Sequence, residues 1–166
     1  FACIAAYFYL KKNQIPVLPF ADTVTPGIIL GQAIGRIANF MNGDAFGHPT
    51  GQDFGLLYPD TTLAYHTYGA QPLWPAEVWE CQGDLLIFVL LLWYGCKTRA
   101  EGTTFCLYIM FYSLLRFFLE NYRGDYGTLA LSLKSAQITS LAAFAGAFIL
   151  FLYFHFKHKS KSGISE

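Results

Sequence analysis

The chain of 166 residues is 54% hydrophobic and 18% aromatic but only 13% charged, with a mean hydropathy of +0.36. Soluble domains carry about a quarter of their residues as charges, so an ordinary soluble globular domain is excluded and an all-α, polytopic transmembrane helix bundle is indicated. Basic and acidic residues number eleven each, a balance that gives no sign of a nucleic-acid partner.

Phe1 to Leu10 read as the end of a membrane helix, stopped by Lys11-Lys12-Asn13-Gln14. The chain starts without Met and inside an apolar run, so a single integral-membrane domain over 1–166, incomplete at its N-terminus, is expected. Pro16 and Pro19 predict an extended connection. A span over 21–41 follows, with Gly27, Gly31 and Gly35 four residues apart and Asn39 and Gly43 continuing the spacing. Residues four apart share a helix face, and a glycine stripe there lets a neighbouring backbone approach closely. Arg36 and Asn39 belong to the same stretch, and an arginine in apolar surroundings normally faces a partner, a cavity or a ligand. Residues 43–75 are polar and aromatic and contain no apolar run of about 20 residues, so they are expected outside the hydrocarbon, as an extracytoplasmic segment between helices. Pro75 opens a span over 76–96. Further spans run over 103–120 and 135–156, and the basic tail at 157–161 is expected to fray.

Charge orients these spans, because Lys and Arg near span ends accumulate on the cytoplasmic side. Lys11 and Lys12, Lys97 and Arg99, and Lys157, Lys159 and Lys161 fall on one side when the spans alternate. The C-terminus is then cytoplasmic, and 43–75 and the 121–134 loop face outward. Arg36, Arg116, Arg123 and Lys134 are left on the outer half, with Asp44, Asp53, Asp60, Glu77, Glu80, Glu120 and Asp125.

Arg116, Glu120 and Arg123 fall at i, i+4 and i+7, with Tyr112 one turn earlier, so the spacing predicts one helix face. Arg116 and Glu120 could be a structural ion pair. Three arginines, two carboxylates and Asn39 at one depth point instead to a cleft for phosphate, which guanidinium recognises bidentately. The nearest abundant phosphates are lipid head groups, so an anionic phospholipid of the outer leaflet is the expected ligand. Glu77 and Glu80 open a span, where negative charge suits a helix N-terminus; Glu80 could equally hold an arginine of the cleft. Trp74 and Trp79 read as interfacial anchors. Neither His48, His66, His155 and His158 nor Cys3, Cys81, Cys96 and Cys106 stand at metal-ligand spacing, and no glycine-rich nucleotide loop is present, so neither metal nor cofactor is expected.

Gly35-Arg36-Ile37-Ala38-Asn39-Phe40-Met41-Asn42-Gly43-Asp44-Ala45-Phe46-Gly47 resembles the signature of the prolipoprotein diacylglyceryl transferases, in which Gly-Arg, Asn-Phe, Asn-Gly-acid and a final Gly recur. Arg116 through Arg123 resembles the family's Arg-Phe, Glu and Arg helix end. Pro75 and Glu80 agree with a third motif, from which Trp74, Glu77 and Trp79 depart. The resemblance covers essentially the whole chain.

It implies a multi-pass enzyme of the bacterial cytoplasmic (inner) membrane, with its active site toward the outer leaflet. Such an enzyme moves the sn-1,2-diacylglyceryl group of phosphatidylglycerol onto the lipobox cysteine thiol of a prolipoprotein signal peptide, and glycerol-1-phosphate leaves. The implied catalytic residues are Arg36 and Arg116, which bind the phosphate and stabilise developing charge. Asn39, Asp44, Gly47, Glu80, Tyr112, Glu120 and Arg123 are the implied substrate-binding set, with Asp44 where the family more often has Glu. A thiol attacks as thiolate, and the family's His-Gly motif, whose histidine has been proposed as base, is expected upstream of Phe1. The alternatives are a non-catalytic membrane paralogue that binds anionic phospholipid, and a structural protein whose arginines are ion-paired.

Overall fold

In the computed structural model of the chain, residues 2–96, 100–124 and 134–162 are described. Lys97 and Arg99, Asp125 with most of the 121–134 loop, and the side chains of Cys3, His158 and Lys161 lie outside the described residues. Six helices and no strands are present among the described residues: α1 (Ala2–Lys12), α2 (Val17–Asn42), α3 (Leu63–Tyr68), α4 (Ala76–Gly95), α5 (Thr103–Leu119) and α6 (Ser135–Ser162). Two of them, Val17–Asn42 and Ser135–Lys157, are long and apolar enough to cross a membrane, and Thr103–Leu119 is a shorter apolar helix.

Three local expectations are corrected. Pro19 does not keep the chain extended, because it falls in the first turn of α2, where a missing N–H costs no helical bond. Pro26 sits inside α2, beside Thr25, whose hydroxyl donates to the Ala21 carbonyl. The basic tail does not fray before Ser162: α6 carries it on as helix past Phe156. Nor does the glycine stripe receive a close neighbour among the described residues, since a Cβ at Gly27, Gly31 or Gly35 would meet nothing within 4 Å.

Helix ends reveal the directions. Asp22, near the start of α2, accepts from the backbone N–H of Gly102 (2.7 Å) and Phe105 (2.9 Å) at the start of α5. Those two helices therefore run parallel. The carboxylate satisfies two of the orphan donors that every helix start exposes, from another helix. α4 runs antiparallel to α2, and α6 antiparallel to α5. The C-terminal end of α2, the start of α4, the end of α5 and the start of α6 consequently share one end of the bundle.

Polarity is turned inside out. Asp22, Thr25, Glu77, Glu80, Asp84, Ser113, Glu120 and Arg123 are buried, while Ile34, Met41, Leu86, Trp93, Ile149 and Phe156 are each more than half exposed. Burying apolar surface is the usual driving force in water, and these exposed side chains do not obey it. A small apolar core of Ile29, Ile87 and Leu91, flanked by Phe111, Tyr112 and Leu115, joins α2, α4 and α5. Residues 43–75 have their own core of Phe46, Ala64 and Leu73, packed with Tyr58 and Tyr68.

Replacing Asp22 with Ala strips both donors of their acceptor at the start of α5. A loss of about 1–2 kcal/mol is expected, read as a lower unfolding temperature in detergent, with Asp22→Asn in between.

Candidate active site

The site is built from four helix ends. α2 stops because Gly43 adopts the left-handed conformation (φ 66°, ψ 37°), the usual glycine terminator. Ala45 is also left-handed (φ 55°). This tight turn brings Asp44 back onto Asn39. With the Asn39 amide oriented so that its oxygen accepts from Arg36 Nη1 (2.9 Å), its nitrogen donates to Asp44 Oδ1 (3.1 Å) and to the Gly35 carbonyl (3.3 Å). The i, i+3 pair Arg36 and Asn39 is thus joined directly, and Asp44 holds the amide.

Glu80 is the centre of the cluster. Its side chain is 1% exposed, and Arg36 Nη2 lies 2.9 Å from Oε1. Arg116 Nη1 (3.4 Å) and Arg123 Nη1 (3.6 Å) approach Oε2. The Tyr112 hydroxyl donates to Oε1 at 3.3 Å. Three arginines and a phenol from α2, α5 and the following turn therefore converge on one carboxylate of α4. Of the two roles open to Glu80, holding the arginines is the one its contacts fit.

Glu120 forms the second pole. Arg116 Nη2 is 2.9 Å from Glu120 Oε2, and Lys134 Nζ is 3.9 Å from Oε1. These are charge contacts without hydrogen-bond alignment, since neither Glu120 oxygen has a hydrogen-bond partner among the described residues. Lys134 spends its ammonium on the carbonyls of Glu120 (2.7 Å) and Arg123 (2.6 Å), which ties the start of α6 to the end of α5.

Arg123 is not on the α5 face that its spacing predicts. The helix ends at Leu119, and Arg123 lies beyond it, paired by a backbone bridge with Gly47. Two glycines let the chain close up at this corner. A Cβ on Gly47 would run into the Trp74 carbonyl, so the segment after α2 lies tight against the chain leading into α4, and a Cβ on Gly124 would sit 2.9 Å from the His48 nitrogen, so the turn after α5 lies tight against the segment after α2. His48 N–H donates to the Tyr122 carbonyl (3.0 Å), Gly124 N–H to that of Phe46 (3.2 Å) and the Tyr68 hydroxyl to that of Gly124 (2.9 Å). Trp74, Trp79 and Tyr122 pack edge-on or tilted at 5.6, 5.4 and 5.2 Å between ring centres. Trp74 and Trp79 therefore also brace this corner.

All nine residues expected at the site are gathered at this end of the bundle. Sequence spacing missed Lys134 as a member, although its position just before an apolar helix on the outer half was a signal. It also missed Glu77 and Asp84, fully buried on the Glu80 side of α4 without a hydrogen-bond partner among the described residues. His48 uses Nδ1 on the Pro49 carbonyl at 2.9 Å. Among the described residues no group of three His, Cys, Asp or Glu side chains could hold a metal ion.

Chemically, the cluster is a donor-rich anion site. Each guanidinium carries five N–H donors, more than the two oxygens of Glu80 and those of Glu120 absorb. Arg36 and Arg116 remain 19% and 16% exposed, so they can be reached.

Residues 1–153 match the prolipoprotein diacylglyceryl transferase family model. Among curated relatives, phosphatidylglycerol–prolipoprotein diacylglyceryl transferase 2 of Clostridium perfringens is 33% identical over 153 residues, covering 92% of this chain and 58% of the relative. The similarly named protein of Clostridioides difficile is 36% identical over 163 residues, 98% of this chain and 60% of its own. That of Corynebacterium diphtheriae is 37% identical over 153 residues, 86% of this chain and 54% of its own. The chain thus spans a little over half the length of the curated relatives it matches.

Truncating Glu80 leaves three guanidiniums without their shared partner, whereas truncating Arg36 leaves Glu80 with two. Breaking a buried pair costs about 3–5 kcal/mol, so Glu80→Ala is expected to lower the unfolding temperature in detergent more than Arg36→Ala. The reverse order would show that Glu80 is not the shared anchor.

Proposed function

The chain belongs to the prolipoprotein diacylglyceryl transferase family, and from that premise and the arginine cluster we propose that it transfers the sn-1,2-diacylglyceryl group of phosphatidylglycerol to the lipobox cysteine of prolipoproteins. The observation that carries the proposal is the convergence of Arg36, Arg116 and Arg123 on the single buried carboxylate of Glu80.

In this reaction the cysteine sulfur forms a bond to the glyceryl carbon that bears the phosphate. The bond from that carbon to the phosphate oxygen breaks, its electron pair stays with the phosphate, and glycerol-1-phosphate leaves. The thiol proton passes to a base. Negative charge therefore grows on a phosphate oxygen, and preorganised donors aimed there lower the barrier. Arg36 and Arg116 are the donors, both exposed enough to meet a ligand. Glu80 and Glu120 hold them at fixed orientation, so little reorganisation is needed at the moment of reaction. Asn39 passes the constraint of the Asp44 turn to Arg36. Tyr112 donates to Glu80 and stands beside Arg116, where it contacts the head group. Gly47 and Arg123 close the outer corner.

The setting is a bacterial cytoplasmic membrane that the chain crosses several times. Apolar side chains on the outside of α2, α4 and α6 support this, as does the polar interior. The two helices long enough to cross support it too. The cluster then lies toward the outer leaflet, with the C-terminus in the cytoplasm, and 43–75 forms the extracytoplasmic cover that gates the signal peptide.

The test is transfer of diacylglycerol from phosphatidylglycerol to a lipobox peptide by the intact membrane protein. Arg36→Ala and Arg116→Ala are each expected to lower kcat/KM by roughly 100-fold or more while remaining folded. A folded wild-type protein that binds phosphatidylglycerol without transferring it would replace the enzyme with a lipid-binding paralogue.

A further inference from the structure

Lys134 stands where the start of α6 meets the end of α5, and it is fixed from two directions. Its backbone N–H donates to Gln137 Oε1 at 3.0 Å. The Gln137 amide is buried and donates in turn to Asn121 Oδ1 (3.1 Å) and to the Phe117 carbonyl (3.4 Å). The ammonium reaches the other way, to the carbonyls of Glu120 and Arg123. Held at both ends, this long side chain has already given up much of its rotamer freedom.

An ammonium has three donors, and the two carbonyls use two. Glu120 Oε1 lies 3.9 Å from the same nitrogen and has no hydrogen-bond partner among the described residues. That gap is about 1 Å longer than a charge-assisted hydrogen bond, and a small rotation of the Glu120 side chain closes it. The other Glu120 oxygen, Oε2, has Arg116 Nη2 at 2.9 Å, while Nη1 of the same guanidinium approaches Glu80. Glu120 therefore depends on an arginine that a second acid already shares.

A phosphate that engages Arg116 competes with Glu120 for the same positive charge. Glu120 is fully buried, so water does not make up the loss, and a buried carboxylate short of its partner is costly. It also repels the arriving anion. We propose that Lys134 is a positioning residue that takes over Glu120 when an anionic head group occupies Arg116. Oε1 closes onto the third ammonium donor, and Glu120 stays neutralised without drawing Arg116 away from the ligand. Only this hydrogen bond forms, and no proton is transferred. The phosphate on Arg116 rests on the transferase proposal above; the takeover rests on the contacts of Lys134.

The experiment is a double-mutant cycle on the intact membrane protein. It reads binding of dioctanoyl-phosphatidylglycerol and of uncharged dioctanoylglycerol, with transfer to a lipobox peptide measured alongside. Lys134→Met is expected to weaken phosphatidylglycerol binding about tenfold and to leave dioctanoylglycerol binding at the wild-type value. Lys134→Arg is expected to restore most of the loss. In a Glu120→Gln background there is no charge to take over, and Lys134→Met is expected to change binding by less than about twofold. A purely structural tie weakens both lipids alike or costs the same in either background, and either result overturns the proposal. Unchanged phosphatidylglycerol binding in folded Lys134→Met overturns it as well. Should Lys134→Met not fold, Lys134→Gln, which keeps N–H donors without the charge, goes through the same cycle. Folded wild-type protein that shows the coupling in binding yet transfers nothing overturns the transferase and keeps the role of Lys134. Transfer without the coupling does the reverse.

Discussion

Sharing one carboxylate among three arginines is the constraint on which the outer end of this bundle depends. Glu80 comes from α4, Arg36 from α2, Arg116 from α5 and Arg123 from the turn beyond α5. The cluster therefore cannot form unless three helices and a loop end at one level. In an apolar surround an unpaired charge is costly, so the cluster acts as a registration device. A slip of α4 by one turn would carry Glu80 about 5 Å along its axis and strand the guanidiniums. At the opposite end, Asp22 fixes α2 against α5. Two buried acids at the two ends thus set how far each helix can slide.

The loops obey the same constraint by different means. Arg123 has no helix to place it, and its position comes from backbone pairing to Gly47 and from the contact of neighbouring Gly124 with His48, too close for a Cβ. The glycine that ends the 35–47 signature is required by packing, whatever it does for a ligand. Gly43 does the corresponding work for Asp44, turning the chain so that a carboxylate, an amide and a guanidinium form one line.

Much of this was legible in the sequence because the periodicity of a helix is rigid. Arg36 and Asn39 three apart, or Arg116 and Glu120 four apart, have few ways to avoid each other. Composition likewise revealed the all-helical class. What spacing could not reveal is tertiary. Glu80 is one of two acids at the start of α4, and only the approach of α2 and α5 distinguishes it from Glu77. Arg123 kept helical spacing in the sequence but lost the helix, because the chain turns after Leu119 to meet Gly47. Lys134 is separated from Glu120 by a loop, so no period connects them. The glycine stripe of α2 had a clear pattern, yet no neighbour among the described residues fills it.

For the proposed transfer reaction, holding the arginines with acids has a consequence. A guanidinium free to move would follow the phosphate in the ground state as readily as in the transition state, and equal binding of the two does not speed the chemical step. Pinned by Glu80 on one side and by Asn39 or Glu120 on the other, Arg36 and Arg116 keep donors in fixed directions. A phosphate that is losing its carbon gains charge on one oxygen, and fixed donors favour that distribution over the starting one. The two carboxylates also weaken ground-state attraction for the diester by neutralising part of the positive charge. On the proposed transfer reaction, the same buried acids that register the helices leave selectivity for the later, more charged state, so substitution at Glu80 is expected to affect fold and chemistry together.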